Sequence, residues 1–369
     1  MASCVFSFGC RKQPVASDFP ETSRALNDVT LSVESIADSI LTTLTLEERV
    51  GQCLMPSLPS VSDSSTLHLL KKWIEDYHIG GIVLLSGSVY SAKELSDLGN
   101  DVRIPLFIAI DAEWGLGMRF KDAKIYPKNG QIINDENESV LFDYGREVAK
   151  ESREIGINMV LGPVLDIVSI SKGVIGYRSF GDDPKVVADF GVAYAKGLES
   201  GGVISVAKHF PGHGSATNDS HIAAAKVSRD ISALDSIDLR PFREYINSGL
   251  SGVMAGHLQV ESLDPSGSIA SVSFDMLTSL LREEMGFKGL ILTDAFDMGG
   301  AKGFSASEAL AAGADIVLCP LNLEKEYQNI CDNVRNGNLD ISILNNRCRN
   351  ILKTKVLFFL NDYNLEESL

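Results

Sequence analysis

The stretch that decides the fold reads Val203-Ile204-Ser205-Val206-Ala207-Lys208-His209-Phe210-Pro211-Gly212-His213-Gly214, followed closely by Thr217-Asn218-Asp219-Ser220-His221. Its first five residues are short, apolar and β-branched, the pattern of a buried strand. The polar residues begin where that strand is expected to stop, at Ala207. Three of the chain's six histidines, a lysine and an aspartate then fall within fourteen residues punctuated by Gly and Pro. A packed core has little use for that mixture, so the segment reads as reactive groups on a glycine-rich loop at a strand's C-terminal end.

Four readings of the loop are open. His209 and His213 are four apart and could share a helix face as metal ligands, but Pro211, Gly212 and Gly214 oppose a helix there. Lys208, desolvated at a strand end, could lose its proton and form a Schiff base. Asp219 and His221 could act as a dyad in which the carboxylate orients the imidazole and stabilises its protonated form. Finally, the histidines could merely hydrogen-bond a tight loop. The dyad is favoured, with neither metal nor cofactor expected.

The rest of the chain bounds these readings. Its 369 residues suit one α/β barrel plus extensions, and 44% hydrophobic with 22% charged residues is the composition of a soluble globular enzyme. The net charge of −16 opposes binding to nucleic-acid phosphates or anionic lipid, leaving a neutral or cationic small substrate as the easier partner. Cys53, Cys319, Cys331 and Cys348 are scattered without metal-type spacing. Cys4 and Cys10 belong to an opening, Met1 to Lys12, that resembles the tail of a lipoprotein signal with small Gly9 before Cys10, although its basic start and most of its apolar core are lacking. Export with lipidation at Cys10, and so a place in the cell envelope or periplasm, is the expectation. The alternative is an ordinary N-terminus on a cytoplasmic protein. Residues 1–25 are assigned to this leader and linker, and 26–369 to a single catalytic domain expected to act as a monomer.

Short apolar runs alternate with longer amphipathic segments, the β/α pattern of a parallel sheet. Strands are predicted at Gly81 to Leu85, Leu106 to Ile110, Ile157 to Leu161, Val203 to Ala207, Gly252 to Ala255, Leu290 to Thr293 and Ile316 to Leu318. Helices are predicted at Glu138 to Ile155, Pro184 to Ser200, Leu239 to Asn247 and Ser273 to Glu284, with Asp183-Pro184 a cap followed by proline at the first helical position. Polar residues recur where strands end: Asp111, Asp166, Lys208 with His209, His257 and Asp294. In a closed parallel barrel those ends converge on one face, so residues distant in sequence would line one pocket.

At these positions the chain resembles the family 3 glycoside hydrolases, specifically their single-domain β-N-acetylhexosaminidase branch, from about Leu46 to about Pro320. The blocks are Ile110-Asp111-Ala112-Glu113-Trp114-Gly115, Leu161-Gly162-Pro163-Val164-Leu165-Asp166, Ile175-Gly176-Tyr177-Arg178-Ser179-Phe180-Gly181, the Lys208-His209 loop with Asp219-Ser220-His221, Val253-Met254-Ala255-Gly256-His257, and Thr293-Asp294-Ala295-Phe296-Asp297-Met298. The resemblance implies a TIM (β/α)8 barrel, Asp294 as nucleophile, and His221 with Asp219 as acid/base. It also implies that Asp111, Arg178, Lys208 and His209 hold the hydroxyls of a terminal sugar. His257 is expected to line the pocket, and Trp114 to fill the core or stack on a sugar. Asp297 is the competing nucleophile, disfavoured because Asp294 directly follows its strand.

The chemistry agrees with the resemblance: a retaining glycosidase needs an ionised carboxylate on one face of the sugar and a proton donor on the other. Family members with a second α/β domain take a glutamate acid from it. Here only about fifty residues follow Pro320, which read as terminal helices, so the acid is expected from the barrel. The implied activity is exo-cleavage of terminal β-linked N-acetylglucosamine from muropeptide or chitin-type oligosaccharides. The alternatives are a family 3 β-glucosidase and a non-catalytic sugar-binding barrel. Asp166-Ile167-Val168 and Ile222-Ala223-Ala224-Ala225-Lys226 depart from the usual pattern, which bears on fine substrate preference.

Overall fold

The structure, a computed structural model, describes residues 22–58, 63–132, 137–168, 174–216 and 222–359. Eight parallel strands can be followed in chain order. They are β1 (Leu54–Met55 and Ser57–Leu58, parted by Pro56), β2 (Gly81–Leu84), β3 (Phe107–Ile110), β4 (Met159–Val160), β5 (Ile204–Phe210), β6 (Gly252–Ala255), β7 (Leu290–Thr293) and β8 (Val317–Leu318). Each neighbour in sequence is a neighbour in the sheet from β1 to β7. The ring then closes: Leu292 bridges to Ile316 beside β8, and Leu54–Met55 pairs with Val317–Leu318. This is the (β/α)8 barrel expected from the alternating pattern. Its edges vanish because every strand finds two partners.

Strands β2, β3, β6 and β7 are buried at every position, as short β-branched and aliphatic runs must be when side chains fill the barrel on one face and meet helices on the other. Pro184–Ser200 forms as predicted, with the Asp183 carboxylate accepting the Lys185 N–H and proline in the first turn. The first strand escaped the sequence reading for a physical reason. Pro56 breaks it into two pairs, and the Pro56 carbonyl, accepting from Val83 N–H at 3.0 Å, keeps the ladder continuous.

Two helices close the bottom of the barrel. Thr22–Thr43 and Ile341–Phe359 lie together through Ala37, Leu44, Cys348 and Leu352, with Asp38 paired to Arg349 and Glu34 to Lys353 at 2.6 Å. The first of these helices begins at Thr22, ahead of the boundary expected at residue 25. Among the described residues no helix is long and apolar enough to cross a membrane, and all four described cysteines are buried free thiols. Cys10 lies outside the described residues.

Candidate active site

β5 carries the loop chemistry further than the sequence suggested. The strand does not end at Ala207 but runs on to Phe210, because Lys208 is bonded twice to the segment after β4, its N–H to Pro163 O at 3.0 Å and its carbonyl to Leu165 N–H at 2.7 Å. Against β6, Lys208 pairs with Met254 and Phe210 with Ala255, so His209 is an extra residue in the ladder. Regular alternation would turn one of two consecutive side chains away from the barrel mouth. The bulge lets both Lys208 and His209 line the same cavity.

That cavity, of about 280 Å³, opens at the C-terminal ends of the strands and is lined by Asp111, Glu113, Arg119, Arg178, Lys208, His209, His213, Asp294 and Asp297, among others. Its volume lies just below the range usual for small-molecule sites. The wall on the β3 side is a charged lattice. Lys208 Nζ donates to Asp111 Oδ1 at 2.7 Å and lies 2.8 Å from Glu113 Oε1. Arg178 grips Glu113 with two parallel bonds of 2.7 and 3.0 Å, and Arg119 pairs with the other oxygen of Asp111.

Burial alone would neutralise these groups, but the neighbouring opposite charges outweigh it. Lys208 and Arg119 hold Asp111 far below the ordinary carboxylate range, and Lys208 and Arg178 lower Glu113. Lys208 and Arg178 are raised in return by Asp111 and Glu113. The Schiff-base reading fails on this point. An amine held protonated between two carboxylates is no nucleophile.

Under His209 sits Asp166, fully buried. Its carboxylate takes His209 Nδ1 at 2.6 Å and the backbone N–H groups of His209 and His213 at 3.2 and 2.7 Å. With one nitrogen committed, His209 presents its other nitrogen to the cavity. Burial, reinforced by His209, pushes His213 below the usual imidazole value. Among the described residues no three ligand-type side chains are grouped to hold a metal ion.

Asp294 follows β7 directly, its N–H bonded to Ala255 O and its Oδ1 accepting from Ala295 N–H, both at 2.8 Å. Burial would raise its pKa, but the imidazoles of His209 and His257, the Ala295 N–H and Lys208 together bring it below the ordinary value. The carboxylate is therefore ionised, with one oxygen anchored and the other left towards the cavity. Asp297 also borders the cavity but is exposed, in the turn that follows.

The structure thus brings Asp111, Arg178, Lys208, His209 and Asp294 to one cavity. His257 departs from expectation. It is fully buried, with Nδ1 on Ser271 Oγ at 2.8 Å and Nε2 on Ala295 O at 2.9 Å, and it does not line the cavity. With both ring nitrogens taken it braces the backbone beside Asp294 and has nothing to offer a sugar. Asp219 and His221 lie outside the described residues. Trp114 is half-buried, edge-on to Tyr177.

Four groups escaped the sequence reading as site residues: Glu113, Arg119, Asp166 as an anchor, and His213 as a cavity residue. Glu113 carried a signal, since Asp111 and Glu113 are two apart and extended chain turns both to one side. Arg119 carried none, because it returns to Asp111 only after the turn at Leu116–Met118.

Comparison with known proteins bears on this geometry. A family model described as the glycosyl hydrolase family 3 N terminal domain matches residues 45–354. A β-hexosaminidase of Nitrosomonas eutropha is 36% identical over 257 residues, 65% of this chain and 73% of that protein. One of Neisseria meningitidis serogroup A is 34% identical over 284 residues, 72% of this chain and 78% of that protein. The solved family 3 β-N-acetylglucosaminidase of Paenibacillus sp. FPU-7 superposes with a TM-score of 0.79 at 29% identity, covering 87% of this chain but only 64% of that one. A β-N-acetylhexosaminidase structure from Beutenbergia cavernae gives 0.76 at 25% identity, covering 85% and 98%. A barrel whose mouth gathers an ionised aspartate against a lattice of paired charges, and whose sequence matches over most of its length, belongs to glycosyl hydrolase family 3, where its similar curated relatives bear the name β-hexosaminidase.

Proposed function

We propose that the protein is a retaining, exo-acting β-N-acetylglucosaminidase that removes terminal β-linked N-acetylglucosamine from muropeptide or chitin-type oligosaccharides, with Asp294 as nucleophile and the Asp219/His221 dyad as acid/base. The observation that carries the reading is the ionised carboxylate of Asp294 at the end of β7, facing a cavity walled by Asp111, Arg178, Lys208 and His209. The free Asp294 oxygen attacks the anomeric carbon while the bond to the leaving oxygen breaks. The His221 imidazole gives that oxygen its proton. Water then attacks the glycosyl ester, His221 takes the proton back, and Asp294 departs as carboxylate. The fixed polar wall meets the sugar hydroxyls and penalises sugars that leave it unpaired.

Turnover of 4-nitrophenyl N-acetyl-β-D-glucosaminide in preference to the β-glucoside supports this reading. The reverse preference moves the protein to the β-glucosidases, and silence on both favours a sugar-binding barrel. His221→Ala should slow natural disaccharides far more than activated aryl glycosides, whose leaving groups need no proton; equal losses would remove the acid role.

The lipoprotein-like start supports a place in the cell envelope. Radiolabelled palmitate should enter the full chain and not Cys10→Ser, and label in neither would leave the protein without its anchor.

A further inference from the structure

Asp111 and Glu113 carry the charged wall of the cavity, and the residue between them, Ala112, ties that wall to the rest of the molecule. The Ala112 carbonyl, in a fully buried residue, accepts two hydrogen bonds. One is local, from the Gly115 N–H at 3.1 Å. The other comes from 82 positions away, from the Tyr194 hydroxyl at 2.7 Å. Tyr194 stands on the helix Pro184–Ser200 and is 1% exposed. Its ring meets that of Tyr144 at 5.4 Å, and Tyr144 meets Tyr126 at 4.5 Å. The far end of this column touches the same stretch of chain again, since a Cβ on Gly115 would lie 2.5 Å from Tyr126 Cδ2. Tyr126 is held in turn by its hydroxyl, which donates to Glu151 Oε1 at 2.7 Å.

The column backs residues 111–115, and its hydroxyls differ in use. The Tyr144 hydroxyl is buried without a hydrogen-bond partner among the described residues, so that ring serves by filling space. The Tyr194 hydroxyl fixes a peptide. Burial, reinforced by the Glu113 charge, raises the Tyr194 phenol above its ordinary value, so it remains a donor throughout the working range. We propose that Tyr194 is a positioning residue for sugar recognition, its hydroxyl fixing the Ala112 peptide so that the Asp111 and Glu113 carboxylates meet Lys208 and Arg178 in the geometry a sugar requires. The inference rests on the N-acetylglucosaminidase reading and adds to it a residue that touches no substrate. Lys208 Nζ lies 2.7 Å from Asp111 Oδ1 and 2.8 Å from Glu113 Oε1, so a shift of the one peptide moves both acids against the same ammonium. Asp294 is anchored through Ala255 and Ala295 instead, so binding of the sugar should suffer more than attack on it.

The test compares Tyr194→Phe with Tyr144→Phe. Each deletes one buried hydroxyl from the same column and keeps the ring, so both should fold. Three quantities are measured: kcat and KM for 4-nitrophenyl N-acetyl-β-D-glucosaminide, the same for its C4 epimer, the N-acetylgalactosaminide, and calorimetric binding of N-acetylglucosamine. Tyr194→Phe should raise KM and the Kd of the free sugar about three- to tenfold, the weight of one hydrogen bond, with kcat within about twofold of wild type. Its preference for the gluco over the galacto epimer should narrow, because a loosened wall penalises a misplaced hydroxyl less. Tyr144→Phe should leave all three at wild-type values. A merely structural role would lower the melting temperature of Tyr194→Phe without moving the epimer preference. That result overturns the proposal, as does an equal effect of the two variants. Weakened N-acetylglucosamine binding in Tyr194→Phe by a protein that hydrolyses no N-acetylglucosaminide would keep the positioning role and sink the enzymatic reading. Turnover with KM and preference unmoved in Tyr194→Phe would do the opposite.

Discussion

Asp294 differs from Asp297 by three positions and by everything that surrounds it. The first is held at a strand end by the Ala255 carbonyl and the Ala295 N–H, and its charge is sustained by nearby imidazoles and Lys208. The second is exposed in the turn that follows. Asp294→Ala should therefore reduce turnover of the aryl N-acetylglucosaminide by at least about 10³-fold with an unchanged melting curve, while Asp297→Ala stays within about tenfold of wild type. An active Asp294→Ala enzyme would transfer the nucleophile's role elsewhere. The lowered pKa also fixes a sign for the acid limb. A carboxylate depressed below its usual value remains ionised as pH falls into the ordinary carboxylate range, so kcat/KM should lose its nucleophile only below that range. The cavity residues readable from sequence were those directly after predicted strands, Asp111, Lys208, His209 and Asp294, together with Arg178, which only the resemblance implied. His257 misled by the same rule. Position after a strand says that a side chain is near the mouth, but not that its nitrogens are free.

At the scale of the element, β5 and its loop depend on close approach of backbone to backbone. A Cβ on Gly214 would fall 1.6 Å from the Ile167 carbonyl oxygen, and one on Gly212, at φ 130°, would lie 2.7 Å from Asp238 Cβ. Gly214→Ala should cost more than about 2 kcal/mol and pull activity down with stability, because the loop that carries His213 and rests on Asp166 must shift. Wild-type melting and turnover in that variant would mean that the loop follows another path. Strands β6 and β7 and the helices Pro184–Ser200 and Leu239–Asn247 match the predicted boundaries. Their hydrophobic pattern and caps are local properties. The end of β5 was not readable, since its last residues are held by Pro163, Leu165 and Gly256 from neighbouring strands, not by anything in their own composition.

For the molecule as a whole, the barrel's lower end holds a charge with no counter-charge among the described residues. Lys355 is buried, its ammonium bonded only to Gln52 Oε1 at 2.7 Å and Gly80 O at 2.8 Å above the Phe107 ring, and burial brings its pKa down to about 7. Between that value and the ordinary lysine value the unfolded chain binds the extra proton. Stability should consequently rise as pH goes from about 7 towards 10, and below 7 the cost is present in full. Urea unfolding of wild type and Lys355→Met across that range should show the rise in wild type and a flatter line in the variant; parallel lines would show that other groups carry it. What the sequence determined alone was the order of strands and helices, the barrel class and the residues placed at strand ends, because hydrophobic period, capping and strand-terminal polarity are written in consecutive residues. Only the tertiary structure decided which of those polar groups share a cavity, how the bulge at His209 turns two neighbours the same way, that Arg119 and Glu113 complete the wall, and that His257 serves the backbone. These follow from closure of the ring, which brings residues dozens of positions apart within hydrogen-bond distance and so sets both their partners and their charge.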